Sequence, residues 1–92
     1  MFLEPLDLQI LYFFKAHPGR AFEAVVVLRT PPMSLYRRIK RLLEDGLLKK
    51  SGYKNAIYSA NFHRMDIHTE REQYVADIIW ADGHQSREVL TA

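Results

Sequence analysis

One stretch carries most of the fold prediction: Ser34-Leu-Tyr-Arg-Arg-Ile-Lys-Arg-Leu-Leu-Glu-Asp-Gly46. Its apolar residues recur at the spacing of an amphipathic helix that buries one narrow face. The basic side chains fall on the opposite face, because successive helical residues are about 100° apart. Ser34 is suited to cap the start of a helix, and Gly46 to take the left-handed conformation that ends one. The stretch therefore predicts a short helix over residues 34–45 with a basic exposed side.

Two further helices are expected upstream. Pro5 suits a first helical turn, Asp7 suits the positive end of the helix dipole, and apolar residues continue to Ala16. His17-Pro18-Gly19 ends this helix. A second helix is expected over residues 22–28, although its β-branched run would also suit a buried strand.

Downstream, a β-hairpin is expected first and a helix after it. Segments 47–51 and 56–60 flank a Gly/Asn turn, which places Tyr53 and Lys54 at the hairpin tip. Thr69 and Glu72 then match a capping box, and the apolar residues after them predict a helix from residue 69 to about 81. The weak periodicity of residues 84–92 predicts a frayed tail.

The stretch from residue 34 to 48 resembles the recognition helix and wing entry of the arsenical-repressor and multiple-antibiotic-resistance-repressor families. The matching positions are Ser34, Leu35, Tyr36 to Arg38, Ile39, Leu42, Glu44, Gly46 and Leu47. The resemblance covers roughly residues 6–60. It implies a mainly α winged helix-turn-helix fold with a three-helix core, a small β-hairpin as wing and an additional C-terminal helix. The expected organisation is a DNA-binding domain over residues 1–62, a helix within 63–83 and a tail over 84–92.

Charge is distributed unevenly along the chain. The net charge is only +2, but residues 29–54 hold eight Lys and Arg against two acidic residues. That segment carries +6 and the rest of the chain −4. Such an asymmetry is typical of a localised anion-binding surface, although a solvated helix face would also produce it.

The resemblance and the charge pattern together predict double-stranded DNA as the partner. An arginine fork can bond guanine O6 and N7 together, and Arg37 and Arg41 lie one turn apart. In the similar families, the positions matching Tyr36, Arg37 and Lys40 commonly approach DNA, and Tyr36 stands where serine or threonine is usual. The expected DNA-binding residues are Ser34, Tyr36, Arg37, Arg38, Lys40, Arg41, Lys49, Lys50, Tyr53 and Lys54.

The predicted last helix offers a homodimer interface, which would let two copies read a palindrome. Its expected interface residues are Tyr74, Val75, Ile78, Ile79 and Trp80, and the same residues could instead complete the monomer core. The expected function is a small dimeric transcriptional regulator that represses by occupancy. Two alternatives stay open: a plasmid, phage or virus partition or replication adaptor that binds repeated sites, and a winged-helix protein-interaction module.

Other function classes have weaker support. The chain has no cysteine, which excludes disulfides, cysteine-ligated zinc and thiol catalysis. His63, Asp66 and His68 are close in sequence, but the spacing of the two histidines does not bring them onto one helix face. We expect no enzyme activity, metal, cofactor or small-molecule ligand. Without a signal peptide or an apolar run of about 18 residues, a cytoplasmic and, in a prokaryote, nucleoid-associated protein is expected.

Overall fold

The computed structural model describes residues 1–90, which contain three helices and two antiparallel sheets. The helices are α1 (Pro5–Ala16), α2 (Ala21–Leu28) and α3 (Pro32–Glu44). The strands are β1 (Leu48–Ser51), β2 (Ile57–Ala60), β3 (Phe62–Glu70), β4 (Gln73–Trp80) and β5 (Gln85–Leu90). None of the helices within residues 1–90 combines the length and the apolar character needed to cross a membrane.

The chain divides into two compact units. Pro5–Ala60 forms the helical unit, with all three helices and the β1–β2 hairpin. Met1–Glu4 and the residues from Asn61 onward form the meander unit, whose sheet has the order β3-β4-β5.

The prediction of a mainly α fold with an additional C-terminal helix is wrong, because the chain is an α/β protein. Residues expected in the last helix form a hairpin in which Thr69 pairs with Tyr74 and Met65 with Ile78. Between the strands, Arg71 and Glu72 have φ values of 51° and 65°. Two successive positive φ values make the tight turn that matches the twist of paired strands, so the apparent capping box is a hairpin turn.

The predicted frayed tail is also wrong over most of its length. Gln85–Leu90 is β5, which pairs with β4 from Ile79↔Gln85 to Tyr74↔Leu90. Thr91 and Ala92 lie outside the described residues.

The helices and hairpin of the helical unit form as predicted, with small differences at the ends. α3 begins at Pro32, and Pro31 rather than Ser34 is the N-cap residue. Pro32 suits the first helical position because proline lacks the N–H that a first helical turn leaves unbonded. The buried apolar side chains of this unit are Ile10, Leu11, Phe14, Ala24, Leu35, Ile39, Leu42, Leu47 and Leu48.

A short backbone pairing holds the hairpin against the segment between α1 and α2. Gly19 donates to the carbonyl of Tyr58 at 3.1 Å, and Tyr58 donates back to Gly19 at 2.7 Å. The ring of Tyr58 also lies 5.8 Å from that of Phe14, centroid to centroid. These contacts stabilise a hairpin whose four-residue strands are too short to be stable alone.

The two faces of the meander sheet differ in chemistry because side chains alternate along each strand. One face carries the buried Met65, Ala76 and Ile78. The other carries a set of charged side chains: Arg64, Asp66, His68, Glu70, Asp77 and Arg87.

Candidate nucleic-acid interface

The exposed face of α3 is narrower and less basic than its sequence suggests. Leu35, Ile39 and Leu42 are buried. At about 100° per residue, the exposed side chains beyond Pro32, which are Met33, Tyr36, Arg37, Lys40 and Glu44, fall within an arc of about 100°. We call these five residues the α3 arc. Its basic members are Arg37 and Lys40, neither of which forms an ion pair with another side chain in residues 1–90.

Two of the predicted DNA-binding arginines point away from this arc, toward a buried carboxylate. Asp7 of α1 is fully buried, and both of its oxygens accept hydrogen bonds from α3. Arg38 donates from Nη1 to Oδ1 at 3.2 Å, and Arg41 donates from Nη2 to Oδ2. The arginine side chains are 22% and 34% exposed. Asp7, Arg38 and Arg41 form what we call the Asp7 clamp, which ties α3 to α1.

The Asp7 clamp was not predicted from the sequence, because Asp7 was interpreted as stabilising the positive end of the α1 dipole. A signal for it is nevertheless present in the sequence. Asp7 stands three, four and seven residues before Ile10, Leu11 and Phe14, which places it on the buried face of α1. An acidic residue on an apolar helix face needs a buried cationic partner, and the adjacent arginines of α3 supply two.

A backbone motif at the end of α3 directs the chain into the hairpin. Gly46 has a φ of 81°, as predicted for a left-handed helix end. Leu47 N–H bonds the carbonyl of Leu42 at 3.0 Å, and Gly46 N–H bonds that of Leu43 at 3.1 Å. This pair of bonds is a Schellman motif, and the side chains of Leu42 and Leu47 are both fully buried beside it. The exit of β1 relative to α3 is therefore fixed by local geometry.

The hairpin displays the remaining predicted basic residues. Lys49, Lys50 and Lys54 are exposed, and Tyr53 at the tip is 91% exposed. Gly52 and Asn55 bend the tip with φ values of 87° and 54°. Lys50 pairs with Tyr58 and Lys49 with Ser59, so the two lysines lie on opposite faces of the hairpin.

The structure thus sorts the predicted DNA-binding residues into three groups within the helical unit. Tyr36, Arg37 and Lys40 lie on the α3 arc. Lys49, Lys50, Tyr53 and Lys54 lie on the hairpin. Arg38 and Arg41 belong to the Asp7 clamp, and Ser34 is half-buried in the first turn of α3 without capping it.

The charge asymmetry of the sequence coincides with the two structural units. The helical unit holds ten Lys and Arg against four Asp and Glu, a net charge of +6. The meander unit holds three against seven, a net charge of −4. No known family, curated protein or solved structure matches the chain.

The residues predicted to form a dimer seam do not share a face. All five lie on β4, the central strand of the meander, where Val75 and Ile79 point to one side of the sheet. Tyr74, Ile78 and Trp80 point to the other. Val75 and Ile78 are buried, and the indole N–H of Trp80 donates to Ser86 Oγ at 2.7 Å.

The charged face of the meander is an internally paired network. Arg87 donates to Asp77 at 2.9 Å and to Glu70 at 3.0 Å, and His68 Nδ1 lies 3.6 Å from an oxygen of Asp77. The hydrogen bond from Arg87 holds the pKa of Asp77 below its ordinary value, and the same carboxylate raises the pKa of Arg87. Most of the charges on this face are therefore paired within it, and with His68 neutral its two arginines and three carboxylates leave a net charge of −1.

The histidines considered as metal ligands have separate contacts. His63 Nε2 lies 3.0 Å from the carbonyl oxygen of Ala81, whereas His68 contacts Glu70 at 3.3 Å. Across residues 1–90, no three His, Asp or Glu side chains are grouped to hold a metal ion.

Proposed function

We propose that the helical unit binds double-stranded DNA, with the α3 arc in the major groove and the hairpin against the flanking backbone, and that the protein acts as a transcriptional regulator. The observation that carries this proposal is the net charge of +6 on the helical unit, compared with −4 on the meander unit. A basic surface on one unit attracts the phosphate backbone, whereas a uniformly charged surface would not select a face.

The shape of the α3 arc suits insertion into DNA. The major groove is about 12 Å wide and admits one α-helix, provided that the helix presents a polar side and is held from behind. α3 meets both conditions, since Arg37 and Lys40 are exposed and Leu35 and Ile39 are buried. Arg37 is the candidate for bidentate bonding to guanine, and Tyr36 and Met33 are candidates for contact with thymine methyl groups.

The Asp7 clamp gives Arg38 and Arg41 a positioning role in this proposal. Their guanidinium groups are held by one buried carboxylate, so they fix the rotation of α3 about its axis relative to α1. Rotation decides which side chains point into the groove. In this arrangement, Arg41 is a supporting residue and Arg37 the base-reading one.

The hairpin supplies backbone contacts. Three exposed lysines and an exposed tyrosine on a hairpin held to the helices suit phosphate or minor-groove binding. Since Lys49 and Lys50 lie on opposite faces of the hairpin, one of them faces the DNA, and with Lys54, Arg37 and Lys40 four cationic side chains are available for phosphate contact. Counterion release at about −0.9 per phosphate then predicts a log–log salt slope of about −3 to −4 for one copy.

The test is the fluorescence anisotropy of a labelled random-sequence duplex, titrated at several salt concentrations. For Arg37→Ala/Lys40→Ala, we expect a slope shallower by about 2 and a clear loss of affinity. The matched control is Arg20→Ala/Arg71→Ala, which removes the same charge from exposed positions outside the α3 arc and the hairpin. If the two double variants change the salt slope and the affinity equally, or if the wild type does not bind at low salt, the proposal is wrong. A protein partner would then be the next candidate.

Base reading is tested separately with Arg37→Lys. Lysine keeps the positive charge but loses the planar fork. Once a preferred site has been selected from a random library, this variant is expected to bind it about tenfold less tightly while binding random DNA unchanged. A parallel loss on both duplexes would assign Arg37 to the phosphate backbone.

A further inference from the structure

α2 exposes an apolar surface of a kind that helices ordinarily bury. Seven of its eight residues are apolar, yet Ala24 is the one that is fully buried. Phe22, Val26 and Val27 are 56%, 65% and 61% exposed. A helix that is apolar on all sides is normally covered on all sides, so an exposed apolar patch on such a helix marks a binding surface.

The exposed residues of α2 line a groove between α1 and α2. The groove has a volume of about 630 Å³, within the range of about 300–1,000 Å³ that is usual for small-molecule sites. All of its lining residues belong to the helical unit: Phe13, His17, Phe22, Glu23, Val26 and Val27. Four of the six are apolar, as in most ligand sites, and two are polar.

The two polar side chains of the groove are without hydrogen-bond partners. Within residues 1–90, the carboxylate of Glu23 and the ring nitrogens of His17 form neither an ion pair nor a hydrogen bond. The imidazole packs instead on Phe13, with 5.9 Å between the ring centroids. A Cβ built on Gly19 would lie 2.5 Å from Glu23 Oε2, so the carboxylate lies over the turn that joins α1 to α2. An apolar groove therefore carries an unpaired carboxylate beside this turn.

We propose that this groove binds a small cation with an apolar body, of the class of aromatic or alkyl amines. The ammonium group pairs with the carboxylate of Glu23 through a charge-assisted hydrogen bond. The apolar body covers Phe22, Val26 and Val27, and the Phe13 and Phe22 rings attract a cation that lies within about 6 Å of their centroids. This proposal does not depend on DNA binding by the helical unit.

The sign of the ligand charge follows from the groove itself. With His17 neutral, Glu23 is the one charged side chain among the lining residues. The net charge of +6 on the helical unit is spread over its surface and is screened by salt over about 10 Å, whereas the ammonium and the carboxylate meet in direct contact. A cation is therefore preferred to an anion of the same shape.

The size of the patch favours a small ligand over a second copy of the chain. Phe22, Val26 and Val27 together expose about 300–400 Å² of apolar surface. A stable protein interface buries about 800 Å² on each partner, roughly twice that area. No small-molecule ligand was expected from the sequence, because the groove exists only where α1 and α2 pack together.

The experiment is a titration of the full chain with three probes, followed through its amide chemical shifts by NMR. The probes are naphthylmethylamine, naphthylmethanol and naphthoate, which share one apolar body and are cationic, neutral and anionic at neutral pH. We expect the amine to shift the signals of the groove residues with a dissociation constant of about 1 mM or below. The alcohol should bind about tenfold less tightly, and the carboxylate more weakly still.

Three variants assign the binding to this groove. Glu23→Gln keeps the size of the side chain but removes its charge, so the amine should bind about tenfold less tightly and the alcohol unchanged. Glu44→Gln is the matched control, because it makes the same change in net charge at an exposed position of α3 and should bind all probes like the wild type. Val26→Lys, at an exposed position of α2, places a cation in the groove and should weaken the binding of the amine most. Circular dichroism checks that each variant is folded.

Three results would overturn the proposal. The first is equal affinity for the three probes, or no shift of the groove signals by the amine at several times the expected dissociation constant. The second is the same affinity for the amine in the wild type and in folded Glu23→Gln. The third is a concentration-dependent shift of the groove signals without any probe, which would show that a second copy covers the groove.

Discussion

Replacement of Asp7 with asparagine should separate the structural role of the clamp from the net charge of the protein. Asparagine has nearly the same shape as aspartate, but it lacks the charge and offers one acceptor oxygen instead of two. Asp7 is fully buried and bonded to Arg38 and Arg41, so the substitution leaves two guanidinium groups facing a neutral side chain. The main consequence is that the positive charges of Arg38 and Arg41, which lie between α1 and α3, no longer have a buried carboxylate to compensate them.

The magnitude follows from the burial of the partners. Removing one member of a buried ion pair costs about 3–5 kcal/mol. The arginines here are 22% and 34% exposed and can partly turn to solvent, so a loss of about 2–4 kcal/mol is expected. A chain of this size has a total stability of about 5–14 kcal/mol. The melting temperature should therefore fall by roughly 10–25 °C.

Urea denaturation followed by far-ultraviolet circular dichroism is a direct assay, because α1, α2 and α3 all belong to the helical unit. Asp45→Asn is the matched control, since Asp45 is exposed at the end of α3 and the same change there should alter stability by less than about 0.5 kcal/mol. A loss below about 1 kcal/mol for Asp7→Asn would refute the view that the clamp fixes α3.

The same variant bears on the proposed DNA binding. Release of Arg38 and Arg41 from the carboxylate makes both available to phosphates, so the salt slope on random duplex should steepen by up to about 1.8. Affinity for a selected site should fall relative to random DNA, because the rotation of α3 is less constrained. An unchanged slope in a folded variant would show that the two arginines lie beyond reach of DNA.

Three further predictions concern the fold. Gly46→Ala should cost about 1–2 kcal/mol in urea denaturation, because Gly46 has a φ of 81° where a side chain is strained; a neutral result would contradict the Schellman geometry. Val26→Ala should stabilise the protein by about 0.5 kcal/mol in the same assay, since Val26 is exposed and alanine is the better helix former; a loss above 1 kcal/mol would mean that Val26 is covered. Asp77, whose pKa is lowered by the hydrogen bond from Arg87, should titrate below the ordinary range of an aspartate carboxyl by NMR, and Arg87→Gln should raise its pKa toward that range. Since the folded pKa is the lower one, stability from this pair is present at neutral pH and is lost as the pH falls through it; an unchanged titration in the variant would exclude Arg87 as the cause.

The helical unit was largely predictable because its signals are local. Pro5 starts α1 and Gly46 ends α3 as predicted, and the spacing of Leu35, Ile39 and Leu42 identifies the buried face of α3. Each of these features acts within one or two helical turns. The basic character of the unit was likewise readable from residue counts alone.

The meander was not predicted because short apolar patterns fit both kinds of structure. Tyr74, Val75, Ile78 and Ile79 follow a helical spacing, yet their β-branched and aromatic character also suits a strand. The alternation of polar and apolar residues from Arg64 to Thr69 was the stronger signal, because only a strand places every second residue on one face. A strand also needs a partner, and β3 and β5 supply one on each side of β4.

By itself, the sequence determined three helices, a basic hairpin and a charge division between two parts of the chain, because helix ends, tight turns and net charge depend on neighbouring residues. Only the tertiary structure decided that Arg38 and Arg41 are turned toward Asp7, which lies 31 and 34 residues away. It also decided that Arg37 and Lys40 remain on the exposed arc. The physical reason is that a buried charge selects its partners by proximity in space, and proximity arises only when α1 and α3 pack.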